Sequence, residues 1–142
     1  MIFTVAVVFF FAMYYLSVCT FSTFLKTFTN ENNEFFKMSK RNIAEYHSRN
    51  VSDVHAMIAL PIAFYSCFYV CDDPAKTIFN SDACLNKPNK IQIYGIVIST
   101  AYCVYDLIVC IWIIGYKMRE GADFIFHHVV GIGGAVAVLF AG

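Results

Sequence analysis

The sequence predicts an all-α fold of the membrane class, a polytopic helical bundle with four transmembrane helices. Three observations lead there. Of the 142 residues, 59% are apolar and only 14% are charged, against the ~25% charged residues of ordinary soluble domains. Apolar runs long enough to cross a ~30 Å hydrocarbon core recur along the chain. Between them stand stretches too rich in charge and turn formers to lie in lipid. The runs are continuous and show no alternation of period two, which excludes a transmembrane β-barrel. The load of 15 Phe and 9 Tyr excludes intrinsic disorder. Ten basic residues balance ten acidic ones with no basic stripe, so the electrostatic footprint of a nucleic-acid reader is missing.

The first span covers residues 1–25, which hold no formally charged side chain. A cleaved signal peptide is the competing reading. It lacks a basic n-region, the apolar stretch is too long, and no small-x-small site closes it. Residues 26–50 carry Lys26, Glu31, Glu34, Lys37, Lys40, Arg41, Glu45 and Arg49 and read as an aqueous loop. The second span, 51–71, holds Asp53 and His55 in its first turns and Pro61 in its middle, where a kink is expected. Asp72, Asp73, Pro74, Asn86 and Pro88 mark 72–90 as a second loop. The third span, 91–116, is interrupted by a single charge, Asp106. A polar connection at 117–123 leads to the fourth span, 124–142. The organisation is therefore 1–39, a first helix with part of a loop, followed by 40–142, the remaining three spans.

Charge sets the expected orientation. Lys26, Lys37, Lys40, Arg41 and Arg49 of the first loop join Lys117 and Arg119 of the third, giving one side seven basic residues, while the second loop has Lys76, Lys87 and Lys90. Under the positive-inside bias the richer side is cytoplasmic, which places the N-terminus and the second loop in the lumen or outside. Cys71 and Cys84 bracket that second loop, so a disulfide between them competes with two unpaired thiols. The sequon Asn50-Val51-Ser52 falls at a membrane boundary on the expected cytoplasmic side, where it would stay unmodified.

Ionisable groups inside spans cost several kcal/mol unless partnered, which makes each a functional candidate. Arg49 and Asp53 are spaced to pair along one helix face, with an interfacial anchor as the plainer reading of the arginine. Ser48, Ser52, His55 and Ala59 step by four, three and four residues and define a small or polar face that should pack inward. For His55, a hydrogen bond across helices and a cavity-lining acid or base are both open. Gly95, Ser99, Tyr102, Asp106 and Cys110 form a similar stripe in the third span, with Asp106 near mid-membrane and in need of a donor from another helix. His127 and His128 open the fourth span. Adjacent helical residues point about 100° apart, so the two cannot clamp a metal. One can face the bundle as a general base while the other faces head groups or orients it. Gly131 and Ala135 make a small-xxx-small step for close helix approach, and Gly131-Ile132-Gly133-Gly134 lacks the spacing, lysine and strand of a nucleotide loop. No haem, iron–sulfur or zinc spacing occurs among the Cys and His residues, so no cofactor or metal is expected.

The order of these features resembles the TLC domain, the multi-span lipid module of ceramide synthases and translocating-chain-associated membrane proteins. His47-Ser48-Arg49-Asn50-Val51-Ser52-Asp53-Val54-His55-Ala56 is similar to the family's arginine, serine and histidine-alanine motif opening a helix. Ala101-Tyr102-Cys103-Val104-Tyr105-Asp106-Leu107 resembles its aromatic-x-x-aspartate-leucine helix, and Asp123-Phe124-Ile125-Phe126-His127-His128 its double-histidine segment. With Asp72-Asp73-Pro74, the pattern is closest to the branch of TLC domain-containing proteins similar to transmembrane protein 56. The family's domain continues past the double histidine, so the resemblance implies further C-terminal helices, or a homo-oligomer, to close the bundle beyond Gly142. It also implies the endoplasmic reticulum and membrane lipids as partners. Two roles follow from it. One is a non-enzymatic protein of lipid homeostasis, with Arg49, Ser52, His55 and Tyr102 lining a lipid cavity. The other is an acyl-CoA-dependent N-acyltransferase acting on a sphingoid amine, with His127 or His128 as base and Asp106 as partner. A proton-coupled transporter would also use intramembrane His55, Asp106 and His127, but four spans without an inverted repeat speak against it.

Overall fold

The computed structural model describes residues 1–28, 37–69, 71, 73, 75–85, 89–115 and 118–141, with side chains 22, 25–28, 83, 85, 118–120 and 141 outside the description. Residues 29–36 of the first expected loop, Asp72, Pro74, Asn86, Lys87 and Pro88 of the second, Lys117 of the third and the terminal Gly142 therefore lie outside the described residues, as does the side chain of Arg119. The helices are α1 (Ile2–Phe28), α2 (Lys40–Phe68), the short α3 (Asp82–Leu85), α4 (Lys90–Ile108) running on as a π-helical turn (Val109–Ile113), and α5 (Met118–Ala141). Four stretches are long and apolar enough to cross a membrane: Ile2–Phe21, Lys40–Phe68, Lys90–Ile113 and Gly121–Phe140. The protein is a multi-pass membrane helical bundle, and among the described residues there is no strand.

The largest departure from expectation is the start of α2. The stretch 40–50, expected in an aqueous loop, is helical. Ser39 caps it, its hydroxyl accepting the Asn42 N–H at 3.2 Å. Ala44, His47, Ser48 and Val51 then recur at helical spacing and are buried, while Lys40, Arg41 and Arg49 stay exposed. The charges at 41–49 are one face of an amphipathic helix. Arg41 and Glu45 pair along it at 3.8 Å. At its other end α2 continues through Pro61 to Phe68. Helix α5 likewise starts ahead of 124, although its backbone leaves helical geometry at Gly121 (φ −125°, ψ 20°), so its continuous part begins there.

Helix α4 is the centre of the bundle. It packs against α1, α2 and α5, and α1 also packs on α2, whereas α2 and α5 make at most marginal contact. A cleft therefore separates α2 from α5, with α4 as its floor. Phe10 and Tyr14 of α1, Val51 of α2, and Ala101, Tyr105 and Val109 of α4 form the buried core. At Gly95 a Cβ would lie 2.8 Å from Ile62 Cγ2, so glycine is what lets α4 approach α2 there. A polar cluster joins α1 to α2: Ser17 Oγ lies 2.9 Å from His47 Nδ1 and accepts from Asn50 Nδ2 at 3.1 Å. The amide nitrogen of the Asn50 sequon is thus engaged inside a helix pair. Leu60, Met57, Trp112, Phe126 and Phe140 stand on outward faces, where hydrocarbon would surround them.

Helix α4 ends in two steps. The π turn closes with Ile114 N–H donating to the Val109 carbonyl at 2.9 Å, and Gly115 follows at φ 73°, a left-handed conformation open to glycine. On the opposite side of the bundle, a disulfide joins Cys71 to Cys84, with the two Cα atoms 5.4 Å apart.

Candidate functional site

Asp106 sits on the floor of the cleft, 2% exposed, in the last turn of α4 before the π segment. A bare carboxylate buried among apolar helices would be strongly destabilising. Two neighbouring helices answer it. Ser48 Oγ of α2 donates to Asp106 Oδ1 at 2.8 Å, and His128 Nε2 of α5 lies 3.0 Å from Asp106 Oδ2. The donor that the sequence required from another span is therefore His128, itself 4% exposed.

The tautomer of His128 follows from its other nitrogen. Nδ1 is 2.8 Å from the backbone carbonyl of Phe124, one helical turn back. A carbonyl only accepts, so Nδ1 carries a hydrogen. The short Nε2–Oδ2 contact then needs a proton between its two atoms. That proton belongs either to an imidazolium facing a carboxylate or to a carboxylic acid donating to a neutral imidazole. In both forms the pair holds one proton in a fixed position against a polar cavity, the arrangement a general acid or base needs and equally one that a polar ligand can bind.

The cavity has a volume of about 380 Å³. Glu45, Ser48, Arg49 and Ser52 line it from α2, Tyr102, Asp106 and Cys110 from α4 and its π turn, and Phe124, His127 and His128 from α5. All come from the first half of α2, the last half of α4 and the first turns of α5. The cavity therefore occupies the end of the bundle where the first and third loops emerge. Further along the same cleft a second cavity of about 640 Å³ is lined mainly by small or apolar side chains, among them Gly95, Ser99, Cys103, Gly131 and Ala135.

Of the residues singled out in the sequence, Arg49, Ser52, Tyr102, Asp106, His127 and His128 meet in the first cavity. His55 does not line it. Its ring lies behind Tyr102, stacked at a centroid distance of 4.0 Å and 6° between planes, with Nε2 3.3 Å from Ser99 Oγ. Phe10 closes the far side by edge contacts to both rings. The Arg49–Asp53 pair that the spacing allows is not formed either: among the described residues Arg49 makes no ion pair or hydrogen bond, and its side chain belongs to the cavity wall. The two histidines divide as adjacent helical positions must, His128 inward and His127 exposed at the cavity, with ring centroids 5.4 Å apart. Sequence reasoning did not single out Glu45 or Cys110 as wall residues, nor Ser48 as the second donor to Asp106. The signal for Ser48 was its place on the inward face with Ser52. Among the described residues no three His, Cys, Asp or Glu side chains converge as metal ligands would. No family model, curated protein or solved structure matches the chain.

Proposed function

We propose that the protein is a TLC-type membrane protein that binds lipid and acts in membrane lipid homeostasis without being an enzyme. The observation that carries this reading is the cleft: beside the polar cavity around Asp106 and His128, further along α4, lies a second cavity with mostly small and apolar walls. A head group suits the first and a hydrocarbon chain the second. From His128 to Val138 helix α5 rises about 15 Å, half of a ~30 Å hydrocarbon core. The motif resemblance supports the same reading, and with it residence in the endoplasmic reticulum. The basic excess of the first and third loops and the Cys71–Cys84 disulfide support a lumenal N-terminus.

The fixed tautomer of His128 favours a second reading, an N-acyltransferase in which His128 moves the amine proton. Replacing His127 and His128 together by Ala, with ceramide formation measured in membranes at matched expression, separates the two. Unchanged ceramide is the expected result; loss of ceramide overturns the non-enzymatic reading. Lipid carried through purification by the wild type, and lost when His128 is replaced by Phe, tests the binding itself.

A further inference from the structure

We infer that the cavity at Asp106 takes a ligand with an anionic phosphate group, a lipid head group held by Arg49 with His127 as the second donor. The inference rests on the lipid-binding reading above and adds the class of head group.

Two acids line the cavity, and both have partners. One oxygen of Glu45 lies 3.8 Å from Arg41 Nε, and the two oxygens of Asp106 meet Ser48 and His128. The wall groups left that can carry a positive charge are Arg49 and His127, and neither makes a hydrogen bond or ion pair among the described residues. Asp53, one turn beyond Arg49, does not neutralise it. What the cavity offers a newcomer is therefore donors, and the complementary ligand is an anion. Arg49 projects from α2 and His127 from α5, across the cleft from each other, so the anion must accept from separate directions. A tetrahedral phosphate does this; the two coplanar oxygens of a carboxylate fit less well. Lys37, Lys40 and Arg41 lie at the same end, just before and at the start of α2, and add a favourable field for an anionic surface. The second, mostly apolar cavity further along the cleft favours a lipid over a soluble phosphate ester.

The test uses the full chain, delipidated in neutral detergent, with lipids of identical acyl chains. Phosphatidic acid should bind at least about tenfold more tightly than diacylglycerol, the advantage expected of one charge-assisted contact. Arg49→Gln should remove that advantage, and Arg49→Lys should restore part of it. Lys76→Gln, at the far end of the bundle, should change nothing. Arg49 is exposed and makes no ion pair among the described residues, so its variants keep the fold, which circular dichroism and gel filtration verify. Equal binding of the two lipids, with both weakened by His128→Phe, overturns the phosphate assignment and leaves the lipid reading standing. Oleate binding as well as phosphatidic acid also overturns it. Displacement by inorganic phosphate or glycerol phosphate as effective as by phosphatidic acid overturns the lipid as the source. Binding of neither lipid overturns the proposed function itself, and this inference with it.

Discussion

Asp106 has two oxygens and two partners, and each partner depends on it in turn. Ser48 and His128 are buried, so truncating the carboxylate leaves their polar atoms facing a gap that lipid cannot satisfy. Asp106→Ala should cost about 2–3 kcal/mol, the usual penalty for stranding buried donors and acceptors. Asp106→Asn is a sharper probe. Its amide can donate to Nε2 of a neutral His128 while its oxygen still accepts from Ser48, so the hydrogen bonds survive if the pair is neutral. In that case unfolding midpoints in detergent should place Asn within about 1 kcal/mol of wild type. An Asn variant as unstable as the Ala variant would show that the negative charge of the carboxylate, and not its hydrogen bonds alone, holds α2 and α5 on α4. A second probe lies behind the cavity. His55 stacks flat on Tyr102, which lines the wall, so His55→Ala should loosen the tyrosine and weaken lipid binding without removing any group that touches the ligand. Lipid retention compared with His55→Phe, which keeps the stacked ring, checks this.

At the scale of elements, the bundle depends on how closely α4 approaches its neighbours. Gly95→Ala places a methyl 2.8 Å from the Cγ2 methyl of Ile62, which sits on the stiff β-branch and cannot swing aside like the end of a long side chain. The expected cost is about 1–3 kcal/mol, read as a lower thermal midpoint in detergent. Gly133→Ala and Gly134→Ala, with nothing within reach, should be nearly neutral in the same assay. This contrast bears on what could be read from the sequence. The spans were legible because hydrocarbon selects long apolar runs, and Asp106 announced its need for a partner because a lone carboxylate is costly there. The face of α4 was legible from its three- and four-residue steps. The segment 40–50 was not, since counting charges hides a periodicity that places Ala44, His47 and Ser48 on a buried face. Nor was the Ser17–His47–Asn50 cluster, which needs the relative rotation of α1 and α2. Arg49 and Asp53 have the spacing to pair, but spacing within one helix says nothing of a cavity on the neighbouring side that draws the arginine away.

For the whole molecule, four consecutive crossings place the start of α2, the end of α4 and the start of α5 at one end, and the second loop with its disulfide at the other. The polar cavity belongs to the first end. Two independent physical facts bear on which end faces the cytosol. Basic side chains are concentrated at the cavity end, and a disulfide persists in an oxidising compartment but not beside cytosolic thiol reductants. Both favour the proposed orientation, with the second loop in the lumen. In sealed microsomes, with the cytosolic face outward, a membrane-impermeant reductant followed by an impermeant thiol reagent should therefore leave Cys71 and Cys84 unlabelled. The same reagents after permeabilisation should label both. Labelling in the sealed vesicles would reverse the orientation and move the cavity to the lumenal leaflet. The bond also closes a loop across 13 positions, so replacing both cysteines by Ser should lower stability by about 3 kcal/mol on the chain-entropy model. Because the loop lies at the end remote from Asp106, that loss should appear in the unfolding midpoint and leave lipid retention at the cavity unchanged.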